Sequence, residues 1–140
     1  MKIARIGAAG SEKPVVIDGD QAIDVSSLVK DWDRPSLEAG GYLRVANADL
    51  NSLPRTPLVG VRYGAVINKP TKIVCVGLNY LAHIKEAGFD TPVEPVIFMK
   101  APDSITGPND QIVIPPNSQA TDYEVELAIV IGKSALRSEE

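Results

Sequence analysis

The chain of 140 residues is 44% hydrophobic and 23% charged, a balance typical of globular proteins. Its 14 Lys and Arg residues against 18 Asp and Glu residues give a net charge of −4 without a basic cluster, which argues against nucleic acid or an anionic membrane as a partner. One cysteine and one histidine exclude an internal disulfide and a Cys/His zinc site. No apolar run has the length of a signal peptide or a membrane span, so a cytoplasmic protein is expected.

Residues 1–70 predict a small N-terminal α+β domain with a linker. Alternating apolar residues indicate three short strands, over residues 2–6, 14–17 and 21–25. Gly19 and Asp20 are typical of the turn of a hairpin between the second and third strands. Helical stretches are predicted after Asp24 or Ser26, from Pro35 onward and, more loosely, over residues 43–53. Residues 54–70 are rich in proline and glycine and are interpreted as the link to a second unit.

Residues 71–140 predict a second, β-rich unit. Strands are expected over residues 72–76, 96–100, 111–114 and 122–131. One clear helix is expected between Asn79, as its N-cap, and Gly88, which ends it. Cys75 lies in an apolar run and is expected to be a buried, unreactive thiol. Many short strands with few helices favour the α+β class over a parallel, doubly wound sheet.

An acidic segment, Asp122 to Leu127, is the most informative part of the chain. On a strand, Asp122, Glu124 and Glu126 would share one face, while Tyr123, Val125 and Leu127 would share the other. Oxygen-only clusters of this kind suit hard cations such as Mg²⁺, Mn²⁺ or Ca²⁺. The alternative is the solvated face of an edge strand, which is the ordinary arrangement in antiparallel sheets.

Three further residues could carry chemistry. His83 and Glu86 are spaced i, i+3 on the predicted helix, so they would lie on one face, where a carboxylate can orient an imidazole as a general base. The alternative is that His83 and Glu86 are simply two polar residues on a solvated helix face, since such a face would show the same spacing. Lys100 follows an apolar strand and would either meet an anionic substrate or reach solvent. The chain contains no nucleophile elbow, P-loop or dinucleotide-binding motif.

Four ordered segments together resemble the fumarylacetoacetate hydrolase family. They read IVCVGLNYLAHIKEAG from residue 73, EPVIFMK from residue 94, GPNDQIVIP from residue 107 and DYEVELAIVIG from residue 122. The resemblance covers residues 72–133, and residues 1–70 resemble, more loosely, the small N-terminal domain of bacterial members. Within the family the chain is most similar to the hydrolases of diketo-deoxy sugar acids and to ureidoglycolate lyase-type members.

The resemblance implies a mixed β-roll that holds one Mg²⁺ or Mn²⁺ ion, usually in a homodimer. It places two metal ligands at Glu124 and Glu126, and a water-activating dyad at His83 and Glu86. Lys100 would neutralise charge on a keto-acid substrate. The third metal ligand of the family is an aspartate further along the chain, so residues 71–140 are expected to form only the first part of the roll.

The function expected from this resemblance is metal-dependent hydrolysis of a C–C bond in a small 2,4-diketo acid or acylpyruvate. Decarboxylation or isomerisation of unsaturated keto-diacids on the same scaffold is an alternative, and so is a non-catalytic fragment. Ser138, Glu139 and Glu140 resemble the cap and first turn of a helix, which favours a fragment of a longer protein.

Overall fold

The computed structural model describes residues 1–137, and the predicted helix start at residues 138–140 lies outside them. The chain forms two compact units. One comprises Met1–Asn68 together with the described residues from Thr106 onward, and the other comprises Lys69–Ile105. The domain division expected from the sequence, 1–70 and 71–140, remains a prediction. The predicted α+β class is confirmed, with antiparallel sheets in both units.

A four-stranded antiparallel sheet organises the first unit. Its strands follow chain order, as β1 (Lys2–Ile6), β2 (Lys13–Asp18), β3 (Gln21–Asp24) and β4 (Arg55–Pro57). The first three match the predicted strands, and the hairpin turn between β2 and β3 contains Gly19 at φ +59°. The fourth was not predicted: β4 lies in the proline-rich stretch interpreted as a linker, where three residues pair with β3.

Two short helices lie between β3 and β4 in the chain. In α1 (Arg34–Glu38), Pro35 occupies the first turn and the Asp33 side chain accepts a hydrogen bond from the Ser36 amide at 2.9 Å, as N-caps do. After Gly40, at φ +73°, α2 runs over Gly41–Ala46.

The helix predicted after Asp24 is wrong. Asp24 accepts a hydrogen bond from the Ser26 amide at 2.9 Å and closes a local turn. The chain then makes a single helical turn, in which the Val29 amide donates to the Val25 carbonyl at 3.0 Å. Both valines are buried in the core. Their packing stabilises this single turn, and the chain does not continue it into a helix.

The core of the first unit lies between the sheet and these helical turns. Trp32 and Val45 have no exposed surface, and the Trp32 indole donates a hydrogen bond to the Val15 carbonyl at 3.3 Å. The same cluster contains further apolar side chains, namely Val16, Ile23, Val25 and Val29. A buried aromatic ring with a satisfied N–H fixes the position of the segment that follows β3.

Residues 69–105 form a two-stranded ribbon and one helix. Strand β5 (Ile73–Gly77) pairs antiparallel with β6 (Val96–Lys100), as the sequence predicts. Helix α3 (Leu81–Ala87) ends at Gly88, which has φ +71°. The predicted N-cap was one residue early, since Tyr80 holds the cap position and no side chain bonds there. Cys75 is half-buried rather than buried, since the ribbon is covered incompletely.

The strands predicted over residues 111–114 and 122–131 do not form. From residue 111 to residue 137 the structure has no helix or strand, and every side chain is exposed. A strand requires a neighbour for its peptide N–H and C=O groups. No described strand pairs with these residues, so their strand-like sequence remains without strand structure.

Among residues 1–137, no helix is long and apolar enough to cross a membrane. The predicted cytoplasmic location remains a prediction.

Candidate functional site

The His83–Glu86 pair lies on α3, as its spacing predicts. The His83 Nδ1 and Glu86 Oε2 atoms are 3.9 Å apart, with side chains 55% and 84% exposed. This distance exceeds that of a hydrogen bond, so the two groups are neighbours on one helix face rather than a locked dyad. Both remain accessible to a reacting molecule. The proton-transfer role assigned to them by resemblance remains a prediction.

Lys100 lies at the end of β6, opposite Ile73 of β5. Its Nζ atom is 6.0 Å from the centre of the Phe98 ring, which lies two residues earlier and therefore on the same face of the strand. That distance is at the limit of a cation–π contact. The ammonium group is thus exposed beside an aromatic ring, a position from which it can meet an anion, and its substrate-binding role remains a prediction.

A shallow cleft of about 350 Å³ lies within residues 69–105, between the end of β5 and the start of α3. Leu81 and Ile84 of α3 line it, together with Asn79 and the loop of residues 91–96. His83 and Glu86 are not among its lining residues. Apolar and polar groups line the cleft in nearly equal measure.

The two predicted metal ligands, Glu124 and Glu126, lie in the exposed segment after residue 111. Their oxygen donors suit a hard divalent cation. Within residues 1–137, however, no group of three or more His, Cys, Asp or Glu side chains gathers to hold a metal ion. The two carboxylates are chemically suitable as two ligands of a larger set around a divalent cation. The metal-binding role of both remains a prediction.

Five charged residues form a network that sequence patterns did not reveal: Arg5, Glu12, Asp31, Arg62 and Asp110. In the outer part of this network, the Arg62 side chain binds the Asp110 side chain. Arg62 Nε and Nη2 donate to the two Asp110 oxygens at 2.8 and 2.6 Å, and Arg62 Nη1 donates to Glu12 at 2.8 Å. These hydrogen bonds hold the pKa of Asp110 at about 2 and lower the pKa of Glu12.

The inner part of the charge network is buried. Arg5 Nε and Nη2 donate to the two oxygens of Asp31 at 2.7 and 3.1 Å, in the paired geometry that arginine favours. The Trp32 amide and the Asn68 side chain also donate to Asp31, both at 2.7 Å. One carboxylate therefore joins β1, the segment before α1 and residue 68.

The turn at residues 107–110 positions the Asp110 side chain in this charge network. The Asp110 amide donates to the Gly107 carbonyl at 3.1 Å, and the Gly107 amide donates back to the Asp110 side chain at 3.0 Å. Gly107 is buried, and a Cβ atom there would clash with the Tyr63 carbonyl oxygen. The charge partner of Asp110 was missed because Arg62 lies 48 residues away and carries no local signal.

Residues 72–140 match the family model described as the fumarylacetoacetate (FAA) hydrolase C-terminal domain. The folds of solved relatives agree with this match and with the α+β class. The chain belongs to the fumarylacetoacetate hydrolase family, as its ordered motifs predicted.

Two curated relatives are similar over nearly all of the chain. The chain is 43% identical over 135 residues to a 2,4-didehydro-3-deoxy-L-rhamnonate hydrolase of Sphingomonas sp. strain SKA58, covering 96% of this chain and 45% of the relative. It is 44% identical to a putative hydrolase of Burkholderia lata, covering 94% of this chain and 47% of that protein. The chain therefore spans about half the length of the curated relatives it matches, and it is related to hydrolases, one of them named for a keto sugar acid.

Solved structures show the same fold. A maleylpyruvate hydrolase from Sphingobium sp. SYK-6, in complex with manganese(II) and pyruvate, superimposes with a TM-score of 0.61 at 28% identity, over 83% of this chain and 43% of that one. The fumarylacetoacetate hydrolase of Exiguobacterium antarcticum gives a TM-score of 0.55 at 31% identity, over 76% of this chain and 37% of that one. The predicted fold, the first part of a fumarylacetoacetate hydrolase-like domain, is confirmed by these likenesses.

Proposed function

We propose that this chain contributes to a divalent-metal-dependent hydrolase that cleaves a C–C bond in a small 2,4-diketo acid or acylpyruvate. The observation that carries the proposal is the similarity to two keto-acid hydrolases, one of them solved with manganese(II) and pyruvate. Pyruvate is the product expected when an acylpyruvate is cleaved next to its keto-acid end. Its presence in a related fold therefore supports this substrate class.

The proposed metal ligands in this chain are Glu124 and Glu126. Carboxylate oxygens are the donors that Mg²⁺ and Mn²⁺ prefer, and the two side chains are exposed and unpaired with any described cation. A metal ion held there would supply Lewis-acid stabilisation of negative charge on the keto-acid oxygens. As the chain spans about half of its relatives, the remaining ligands would come from the rest of the family fold.

The proposed acid–base residues are His83 and Glu86 on α3. Glu86 would orient the imidazole, and His83 would take a proton from the attacking water and return it to the leaving carbon. The observed 3.9 Å between them would have to shorten to a hydrogen bond in the complex with substrate. Lys100 would bind the substrate carboxylate, since its ammonium group lies at a strand end with no acid within ion-pairing distance among residues 1–137.

A chimeric enzyme tests this proposal. The region of the Sphingomonas relative that matches this chain is replaced by residues 1–140, and pyruvate release from an acylpyruvate is measured with added Mg²⁺ or Mn²⁺. We expect metal-dependent release. Decarboxylation would instead yield carbon dioxide without pyruvate, and this outcome would contradict the proposed hydrolysis.

Point variants of the chimera assign the roles. Glu124→Gln and Glu126→Gln are expected to weaken metal binding in calorimetric titration, whereas Asp122→Asn, a matched loss of one charge two residues away, should leave it nearly unchanged. His83→Gln should lower the rate by about 10²-fold or more with metal affinity preserved, as removal of a general base does. Unchanged metal dependence in both glutamate variants would refute the ligand assignment.

A further inference from the structure

The backbone at Leu78 is strained. This residue lies in the loop between β5 and α3, and its φ angle of +51° falls in the left-handed region. Glycine adopts that region freely, whereas a leucine rarely does, because its Cβ atom comes too close to the neighbouring backbone carbonyl. Gly77, one residue earlier, has no positive φ. The chain therefore places leucine where the backbone favours glycine, and glycine where the backbone φ does not require it.

The Leu78 side chain lies in the cleft beside α3. It is half-buried and lines the cleft together with Leu81 and Ile84 of that helix. Val76 of β5 and Val96 of β6 line the same cleft, so apolar side chains from the loop, the helix and the ribbon share one space. Leucine thus supplies at position 78 an apolar group that glycine would lack.

The apolar face of α3 determines the direction of the His83–Glu86 pair. With 3.6 residues per turn, Leu81 and Ile84 share one face of the helix, and His83 and Glu86 lie on nearly the opposite one. Ile84 is 5% exposed, whereas the His83 side chain is 55% exposed. Packing of the first pair toward the cleft therefore turns the second pair outward.

The start of α3 has little else to fix it. The helix has seven residues, a length that is marginal in water without tertiary packing. Among residues 1–137, no side chain caps it at Tyr80. Its other end is closed by Gly88, which reaches φ +71° without a side chain to strain. The entry of the chain at Leu78 and the packing of the apolar face are therefore what orient the helix.

We propose that Leu78 is a positioning residue for His83, in a role that rests on the proposed function. Its left-handed backbone turns the chain from β5 into α3, and its side chain holds the apolar face of the helix at the cleft. His83 and Glu86 are thereby held outward in one orientation. Strained residues persist where the surrounding structure fixes them, and they cluster at active sites. Loss of the Leu78 side chain should therefore slow proton transfer by His83 without changing metal or substrate binding.

Hydrogen exchange of the 140-residue chain tests the packing role without any metal or substrate. Leu78→Asn removes the apolar side chain but keeps the conformation, since asparagine adopts the left-handed region more readily than leucine does. We expect the α3 amides, including the Ile84 amide that donates to the Tyr80 carbonyl at 3.0 Å, to exchange about tenfold faster. Leu43→Asn is the matched control, the same change at a leucine of α2 that is 59% exposed, and it should leave α3 exchange unchanged. Unchanged α3 exchange in Leu78→Asn would overturn the inference.

The chimera with the Sphingomonas relative tests the consequence for catalysis. We expect Leu78→Asn to lower kcat by about tenfold or more, because a small misplacement of a catalytic group is costly. KM and Mn²⁺ affinity should stay unchanged, since the proposed function assigns binding to Lys100, Glu124 and Glu126. Leu78→Met, which restores an apolar side chain of similar volume, should return kcat to within about threefold of the unmodified chimera.

The two experiments separate this role of Leu78 from the proposed function. If the unmodified chimera were inactive, the proposed function would fail and the role of Leu78 with it, whatever the exchange result. If the unmodified chimera were active but Leu78→Asn kept the same kcat, Leu78 would not position His83, and the proposed function would stand. Equal falls in kcat, stability and Mn²⁺ affinity, without rescue by Leu78→Met, would indicate a general loss of structure and would also overturn the inference.

Discussion

Removal of the Asp31 carboxylate should destabilise the first unit more than removal of any exposed acid. Asp31 accepts four hydrogen bonds, two from Arg5, one from the Trp32 amide and one from Asn68. Four is the full capacity of a carboxylate. The Arg5 and Asp31 side chains are 7% and 14% exposed, so water cannot replace these partners in the folded state.

The expected magnitude follows from what Asp31→Ala leaves behind. Arg5 would keep only Glu12 at 3.4 Å and the Ala65 carbonyl at 3.3 Å, and the amide donors would lose their acceptor. Loss of one partner from a buried ion pair costs about 3–5 kcal/mol. Because Glu12 still neutralises part of the charge, we expect about 3 kcal/mol. For a unit built largely on residues 1–68, total stability is about 3–10 kcal/mol at the usual value per residue. The substitution would therefore remove a large fraction of it.

Urea denaturation followed by Trp32 fluorescence measures this loss. With a slope of about 1–1.5 kcal/mol per M for a small unit, the midpoint should fall by about 2–3 M. Asp18→Ala is the matched control, because Asp18 pairs with Arg55 at 2.8 Å while both side chains are largely exposed. An exposed pair contributes about 0–1 kcal/mol. If the two substitutions lowered the midpoint equally, burial would not govern the contribution of the charge network, and the reasoning would fail.

Three further outcomes are expected. The pKa of Asp110 is about 2 against an ordinary 3.8, so its folded-state pKa is depressed; its contribution to stability is present above pH 3.8 and is lost as the pH falls toward 2. The midpoint temperature of thermal unfolding should therefore fall less steeply between pH 5 and pH 2 in Asp110→Asn than in the original chain. An unchanged slope would contradict this linkage. Gly107→Ala should lower the free energy of unfolding, measured by urea titration, by about 1–3 kcal/mol through overpacking. Gly132→Ala, whose added Cβ would have no atom within 4 Å, should leave it unchanged. Val45→Ala, at a fully buried position, should lower stability by about 2 kcal/mol, and Val59→Ala, at 90% exposure, should not.

Elements with local signals could be predicted from the sequence. The hairpin at Gly19, the helix α1 behind Asp33, and the helix α3 ending at Gly88 each depend on residues within one or two turns. In α3 the i, i+3 spacing also sufficed to bring His83 beside Glu86. The charge network could not be found in this way. Its pairs join residues 26 and 48 positions apart, and no spacing rule connects such residues before the chain has folded.

The segment 122–131 shows a different limit of sequence reasoning. Its alternation correctly describes which side chains would share a face, but a strand is a property of two segments, because its peptide groups are satisfied only by a neighbour. Helix α3 forms because its hydrogen bonds are internal, whereas Glu124 and Glu126 stay unorganised because their backbone has no described partner. The metal site proposed at Glu124 and Glu126 would therefore require strand pairing of their segment as well as acidic side chains. If hydrogen exchange found this segment strongly protected in the 140-residue chain alone, that reasoning would be wrong.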